Sequence, residues 1–123
     1  MKPDGGILVV DDEFLIADLL SAMLEEMGLD VCGSAASAEE AVAAVRRHEP
    51  GLVLMDVRLR GARDGVDAAA EINAISSVPI IFITGSRERE TVERIEAIRR
   101  GSVLFKPVRF DQLQREVLRA IAA

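Results

Sequence analysis

The stretch Gly51-Leu-Val-Leu-Met-Asp-Val-Arg-Leu59 contains the pattern that decides the fold. Four consecutive apolar residues, Leu52 to Met55, run directly into the carboxylate of Asp56. A strand that is apolar at every position, instead of at alternate positions, is typical of a parallel sheet with helices on both faces. The sequence therefore predicts a fully buried strand whose carboxyl end places Asp56 at the edge of such a sheet.

The rest of the chain alternates short apolar runs with longer amphipathic stretches. We predict strands at 7–10, 31–35, 52–55, 79–84 and 102–105, and helices at 13–27, 37–47, 66–75, 88–100 and 111–121. Ser37 and Glu40 have the spacing of a capping box, and Asp111 is predicted to cap the last helix. Strict alternation with right-handed crossovers predicts a flavodoxin-like, doubly wound α/β fold with a five-stranded parallel sheet of order 2-1-3-4-5 and five helices.

Length and composition argue against several classes of protein. The 123 residues suit a single domain, 1–123, with a flexible start at 1–5 and no output domain. The net charge of −6 argues against a nucleic-acid partner, and no apolar run is long enough for a membrane span. Because no signal peptide is recognisable, we expect a cytoplasmic protein. The single cysteine, Cys32, has no partner for an internal disulfide.

Polar residues follow four of the five predicted strands. They are Asp11 and Asp12 after the first, Asp56 after the third, Thr84 at the end of the fourth and Lys106 after the fifth. In a doubly wound sheet these strand ends share one crevice. Converging carboxylates repel one another, so either their pKa values rise or a cation lies among them, and Mg²⁺ suits such oxygen ligands. Asp56 is then a candidate nucleophile for a phosphoryl group, whose oxygens Lys106 and Thr84 would bind.

With these residues at matching strand ends, the chain resembles the receiver domain of bacterial two-component response regulators over essentially its whole length. The string Ile7-Leu-Val-Val-Asp-Asp-Glu13, Asp56, Thr84 and Lys106-Pro107 carry the resemblance. It implies a CheY-like fold and an Asp56 that accepts a phosphoryl group from a sensor histidine kinase or a histidine phosphotransfer protein. It also implies Mg²⁺ held by Asp11, Asp12, Asp56 and the backbone carbonyl of Arg58.

The resemblance further implies how such a domain responds. Thr84 and Lys106 would bind the phosphoryl group, the Lys106-Pro107 peptide is expected to be cis, and the surface of helix four, strand five and helix five would contact a downstream protein. Arg58 and Ser86 occupy positions that tune the lifetime of the phosphate in this family. Receivers are expected to catalyse only their own phosphorylation and dephosphorylation, so the chain is not expected to be an enzyme in the usual sense.

One position departs from the family pattern. Receivers usually carry a tyrosine or phenylalanine three residues before the lysine, and this chain has Val103 there. The segment Phe82-Ile-Thr-Gly-Ser-Arg87 is similar in part to a receiver subgroup with Phe-Ala-Thr-Gly-x-Tyr, and it differs at Ile83 and Arg87. Arg87 is therefore an alternative switch residue.

Other functions stay open on the sequence alone. Within the family, the chain would serve as a phosphate sink, or as a weakly switched receiver that acts by binding its kinase. An aspartate-dependent phosphatase usually needs a second carboxylate two residues after the nucleophile, where this chain has Arg58. A flavin- or nucleotide-binding module usually has a glycine-rich phosphate loop after the first strand, and none is present there.

Overall fold

The computed structural model describes residues 4–122, which alternate strand and helix throughout. The strands are β1 (Ile7–Val10), β2 (Val31–Ala35), β3 (Leu52–Asp56), β4 (Ile80–Thr84) and β5 (Gly101–Phe105). The helices are α1 (Phe14–Glu26), α2 (Ala38–His48), α3 (Gly65–Ile75), α4 (Arg89–Glu96) and α5 (Phe110–Ala122). The predicted flexible segment 1–5 lies partly outside the described residues; Asp4 and Gly5 within it form a turn.

The five strands form one parallel sheet in the order β2-β1-β3-β4-β5. This confirms the predicted flavodoxin-like topology. The order reverses at β1, which has β2 on one side and β3 on the other. The crevice expected at such a reversal lies beyond the carboxyl ends of β1 and β3.

The apolar runs supply a core to each face of the sheet. Alternate residues of β1, β3 and β4 pack into one cluster with α2, α3 and Ile95 of α4, and their neighbours pack into a second cluster with α1 and α5. All four residues of β1 and all five of β3 and β4 are buried. Continuous apolar strands are thus explained by helices on both faces.

Two helix ends differ from the prediction by more than a shift of one residue in the bounds. Helix α4 ends at Glu96 instead of Arg100, because tight turns at Ile98 and Gly101 bring the chain into β5. Asp111 does not cap α5: it lies in the first turn and pairs with Arg109.

The predicted capping box at α2 forms only in part. The Ser37 hydroxyl accepts from the Glu40 amide at 3.1 Å, but the Glu40 carboxylate accepts from the Ala36 amide, one residue before the expected one. A complete capping box, which the sequence analysis missed, begins α3: Asp64 and Asp67 each accept a hydrogen bond from the other's amide at 2.9 Å. Within residues 4–122, every helix is too short or too polar to cross a lipid bilayer.

Gly65 brings the start of α3 against the end of β3. A Cβ atom at this position would lie 2.0 Å from the backbone oxygen of Asp56 and 2.9 Å from Cγ of Met55. The Gly65 amide donates to the Val57 carbonyl at 2.7 Å. Any side chain here would therefore displace the backbone that carries Asp56.

We predict that Gly65→Ala lowers the free energy of unfolding by about 1–3 kcal/mol, because the added methyl group overpacks a buried backbone contact. Gly85→Ala is the matched control, since a Cβ there meets nothing within 4 Å. Urea denaturation of both variants checks this. Equal losses of unfolding free energy in the two variants would show that the contact with the Asp56 backbone does not account for the loss.

Candidate functional site

The register of the sheet brings the predicted site residues together. Val10 pairs with Met55, so the residues that follow them, Asp11 and Asp56, lie side by side at the end of the sheet. Thr84 pairs with Phe105, and the Lys106 amide donates to the Thr84 carbonyl at 2.9 Å. Four segments distant in sequence thus end at one edge.

Three carboxylates form a compact acidic cluster at this edge. One oxygen from each of Asp11, Asp12 and Asp56 lies within 4.8 Å of the others. Asp11 and Asp56 are each only 4% exposed, whereas Asp12 is half-buried. Asp11 uses Oδ1 to accept from the Glu13 amide at 2.8 Å. Its Oδ2 is, within residues 4–122, the one buried side-chain polar atom without a hydrogen-bond partner.

Burial dominates the electrostatics of the cluster. Desolvation raises the pKa of Asp56 to about 6, although Lys106 and the Arg58 backbone partly oppose the rise. Desolvation also raises the pKa of Asp11, against the opposing effects of the Glu13 amide and Lys106. Two buried, partly compensated carboxylates side by side are the arrangement that a bound cation would stabilise.

Lys106 and Thr84 flank the Asp56 carboxylate. The Lys106 ammonium lies 3.5 Å from Asp56 Oδ1 and keeps 32% of its side chain exposed. The Thr84 hydroxyl is buried and accepts from the Ser86 amide at 3.0 Å, so its proton stays free to donate. Both side chains line the cleft above Asp56, which has a volume of about 720 Å³.

Residues 7–118 match the family model described as the response regulator receiver domain. The chain is a response-regulator receiver domain. Two curated relatives of this receiver domain are longer proteins. It is 38% identical over 107 residues to the transcriptional regulatory protein PdtaR of Mycobacterium tuberculosis, covering 87% of this chain and 52% of PdtaR. It is 42% identical over 84 residues to the phyllosphere-induced regulator PhyR of Methylorubrum extorquens, covering 68% of this chain and 32% of PhyR. The chain spans about half the length of PdtaR and about a third of PhyR.

Solved receiver domains have the same fold. The signal receiver domain of a modulated diguanylate cyclase from Desulfovibrio desulfuricans superposes with a TM-score of 0.87 at 42% identity, covering 95% of this chain and 93% of that one. The receiver domain of NtrX from Brucella abortus gives a TM-score of 0.85 at 34% identity, covering 95% and 98%. The expectation of a receiver fold, drawn from the strand-end residues, is confirmed.

The structure places the other predicted positions of the receiver as follows. The Arg58 and Ser86 side chains line the cleft, and the Lys106-Pro107 peptide is cis. Val103 is half-buried in β5 and packs against the core cluster on the α2–α3 side. The roles assigned to these residues stay predictions.

The sequence analysis missed an ion-pair clamp beside the cleft. Arg94 of α4 donates to both oxygens of Asp64, at 2.7 and 3.0 Å, and lies 3.3 Å from Asp67. Burial alone would raise the pKa of Asp64, but hydrogen bonds from Arg94 and the Asp67 amide lower it. The Asp64/Asp67 spacing was visible in the sequence as a capping signal, whereas nothing marked Arg94, 30 residues away, as its partner.

The raised pKa of Asp56 predicts how the stability of the metal-free protein depends on pH. Because its pKa is raised to about 6, the folded state favours the protonated carboxyl, and ionisation costs stability. We expect the free energy of unfolding to fall as pH rises from about 4 through about 6 and then to level off. Asp56→Asn should reduce this slope, leaving the part that the raised pKa of Asp11 contributes, and be about 2 kcal/mol more stable at pH 7.5 in EDTA, measured by urea denaturation. A less stable variant would contradict this account.

The ion pair between Arg94 and Asp64 is predicted to contribute to stability. Arg94→Ala should lower the free energy of unfolding by about 0.5–1 kcal/mol, since the ion pair is bidentate but partly exposed. The loss should shrink in about 1 M NaCl. It should also disappear as pH falls through the lowered pKa of Asp64, because the protonated carboxyl no longer pairs. Arg89→Ala, an exposed neighbour in α4, is the control; an equal, salt-independent loss in both variants would assign the effect to helix propensity.

Proposed function

We propose that this receiver domain accepts a phosphoryl group on Asp56 in a Mg²⁺-dependent reaction and so switches or relays a two-component signal. The observation that carries the proposal is the buried Asp56 carboxylate, with Lys106 at 3.5 Å on one side and two further aspartates within 4.8 Å. In this proposal residues 1–123 form one receiver unit, located in the cytoplasm.

The acidic cluster fits a divalent cation. The partnerless Oδ2 of Asp11 is a buried anionic oxygen without a donor, which is costly unless a cation or a proton compensates it. Asp11, Asp12, Asp56 and the Arg58 carbonyl would hold Mg²⁺, which prefers oxygen ligands. When bound, the ion neutralises charge on the oxygens of the transferred group.

The chain's own residues would perform the transfer. A carboxylate oxygen of Asp56 attacks the phosphorus atom; the bond from phosphorus to the donor breaks, and its electron pair leaves with the donor. The Asp56 pKa of about 6 leaves the carboxylate ionised at pH 7 while retaining more basicity than an exposed aspartate. Lys106 and the Thr84 hydroxyl would stabilise the phosphoryl oxygens by charge-assisted hydrogen bonds.

The donor follows from the family. Receiver domains interact with histidine kinases or histidine phosphotransfer proteins, and we propose one of these as the partner of this chain. The P–N bond of a phosphohistidine would then break with its electron pair moving to the imidazole, which takes up a proton. The net charge of −6 gives no general attraction to nucleic acid, so we propose protein partners only.

The output would pass through α4, β5 and α5. An aspartyl phosphate carries about −1.5 to −2 charges, and drawing Thr84 toward it would shift the segment that leads into α4. Arg58 and Ser86, both lining the cleft, are proposed to tune access of water to the phosphoryl group. Val103 is proposed to contribute no rotamer switch, since a β-branched side chain has few χ1 states.

We predict one phosphoryl adduct by intact-mass spectrometry after incubation with acetyl phosphate and Mg²⁺. Asp56→Asn and the parent protein in EDTA should give none, and Lys106→Ala should give much less. Glu88→Gln is the matched control, because Glu88 is an exposed carboxylate that lines the same cleft. Equal adduct on Asp56→Asn would overturn the assignment of the acceptor.

A further inference from the structure

Arg87 has an unusual contact in this cleft. Its guanidinium carbon lies 4.0 Å from the centre of the Phe105 ring, a cation–π geometry. Within residues 4–122, the Arg87 side chain has no ion pair and no hydrogen bond, although it is exposed and lines the cleft above Asp56. The stacking on Phe105 is therefore what positions this guanidinium.

The Phe105 ring is not packed into either core cluster, so it can change its surroundings when Arg87 moves. In β5, Val103 packs against the cluster on the α2–α3 side and Leu104 against the cluster on the α1–α5 side. Phe105 is half-buried and belongs to neither cluster. It lies on the same face of the strand as Val103, two residues closer to Lys106.

The backbone connects Arg87 to Thr84 over a short path. The Ser86 amide donates to the Thr84 hydroxyl at 3.0 Å, and the Glu88 amide donates to the Ser86 hydroxyl at 3.3 Å. Gly85 separates Thr84 from Ser86, and a Cβ atom at this position would meet nothing within 4 Å. If the Thr84 hydroxyl moves to donate to a phosphoryl oxygen, its own acceptor bond pulls the Ser86 amide with it. The residue carried along next is Arg87.

We propose that Arg87 changes partner when Asp56 is phosphorylated, from the ring of Phe105 to the phosphoryl group, and so uncovers Phe105 at the carboxyl end of β5, beside the segment that leads into α4. This inference rests on the proposed function. It gives the domain a switching residue although Val103 has no ring to move.

Arg87 is expected to leave the Phe105 ring for the phosphoryl group because the second contact is the stronger one. A cation–π contact at an exposed site is a weak interaction, whereas a guanidinium can bind a phosphoryl group through two charge-assisted hydrogen bonds. Lys106 is the one cation within 4 Å of Asp56 among the described residues. Besides Lys106 and the proposed Mg²⁺, the added phosphoryl charge therefore leaves room for a further cationic side chain, and Arg87 and Arg58 are the arginines that line the cleft.

Fluorine NMR of protein labelled with para-fluorophenylalanine tests the proposal, because the chain has only four phenylalanines. Phe105→Leu identifies the signal of residue 105. In the parent protein, acetyl phosphate with Mg²⁺ should shift this signal toward that of an uncovered ring. In Arg87→Gln the signal should already be displaced before phosphorylation, and the shift on phosphorylation should be largely lost. Arg89→Gln, which keeps Arg87, should behave as the parent.

The lifetime of the adduct gives a second readout that packing alone would not change. Arg87→Gln should lose its phosphoryl group several-fold faster than the parent, because one ligand of the phosphoryl oxygens is missing. Phe105→Leu should keep the parent lifetime or lengthen it, since Arg87 is no longer held on the ring.

Intact mass, measured on the same samples, separates failure of the Arg87 switch from failure of the proposed phosphorylation. An adduct on Asp56 with an unmoved residue-105 signal overturns the role of Arg87 and leaves the proposed function standing. An adduct whose signal shift and lifetime are the same in Arg87→Gln as in the parent does likewise. The absence of an adduct in the parent overturns the proposed function, and this inference with it.

Discussion

Burial of the Asp56 carboxylate is the constraint on which the rest of the structure depends. The strand that carries it is apolar at every position and covered on both faces, so the carboxylate ends in a place where water cannot fully solvate it. The protein leaves that cost only partly compensated. Lys106 lies 3.5 Å away, but Asp11 is close by with an oxygen that has no partner. The result is a buried, partly compensated anion, which suits the cation and the phosphoryl group that we propose for this site.

The surroundings of this carboxylate differ on its two sides: the start of α3 packs behind it, and the segment that follows β4 lies in front of it, at the cleft. Gly65 allows α3 to start against the Asp56 backbone, and the Asp64/Asp67 capping box, held by Arg94, fixes that start. In front, the segment from Gly85 to Glu88 makes two hydrogen bonds from backbone amides to side-chain hydroxyls, and Arg87 contacts Phe105. This difference between back and front suits the proposed function, in which the site binds a phosphoryl group and transmits the added charge to α4.

Much of this was readable in the sequence, because the strongest signals were local. The apolar runs of β1, β3 and β4 predict a parallel sheet, and alternation with helices predicts its order; both are confirmed by the topology. The residues after each strand then had to meet at one edge. Errors arose where tertiary contacts decide the outcome. Helix α4 ends early since β5 must begin at Gly101, and Arg94 finds its partner across 30 residues. The contact of Arg87 with Phe105 is of the same kind, because each residue is unremarkable in its own segment.

The central claim is that a phosphoryl group is carried by the side chain at the tip of β3 and by no other acidic residue. The most direct test is chemical: the protein is treated with acetyl phosphate and Mg²⁺, reduced with borohydride, which converts an aspartyl phosphate to homoserine, and sequenced by tandem mass spectrometry. The account predicts homoserine at residue 56 alone. Homoserine at residue 11 or 12, or at none of the aspartates of a protein that carries the adduct, would contradict it.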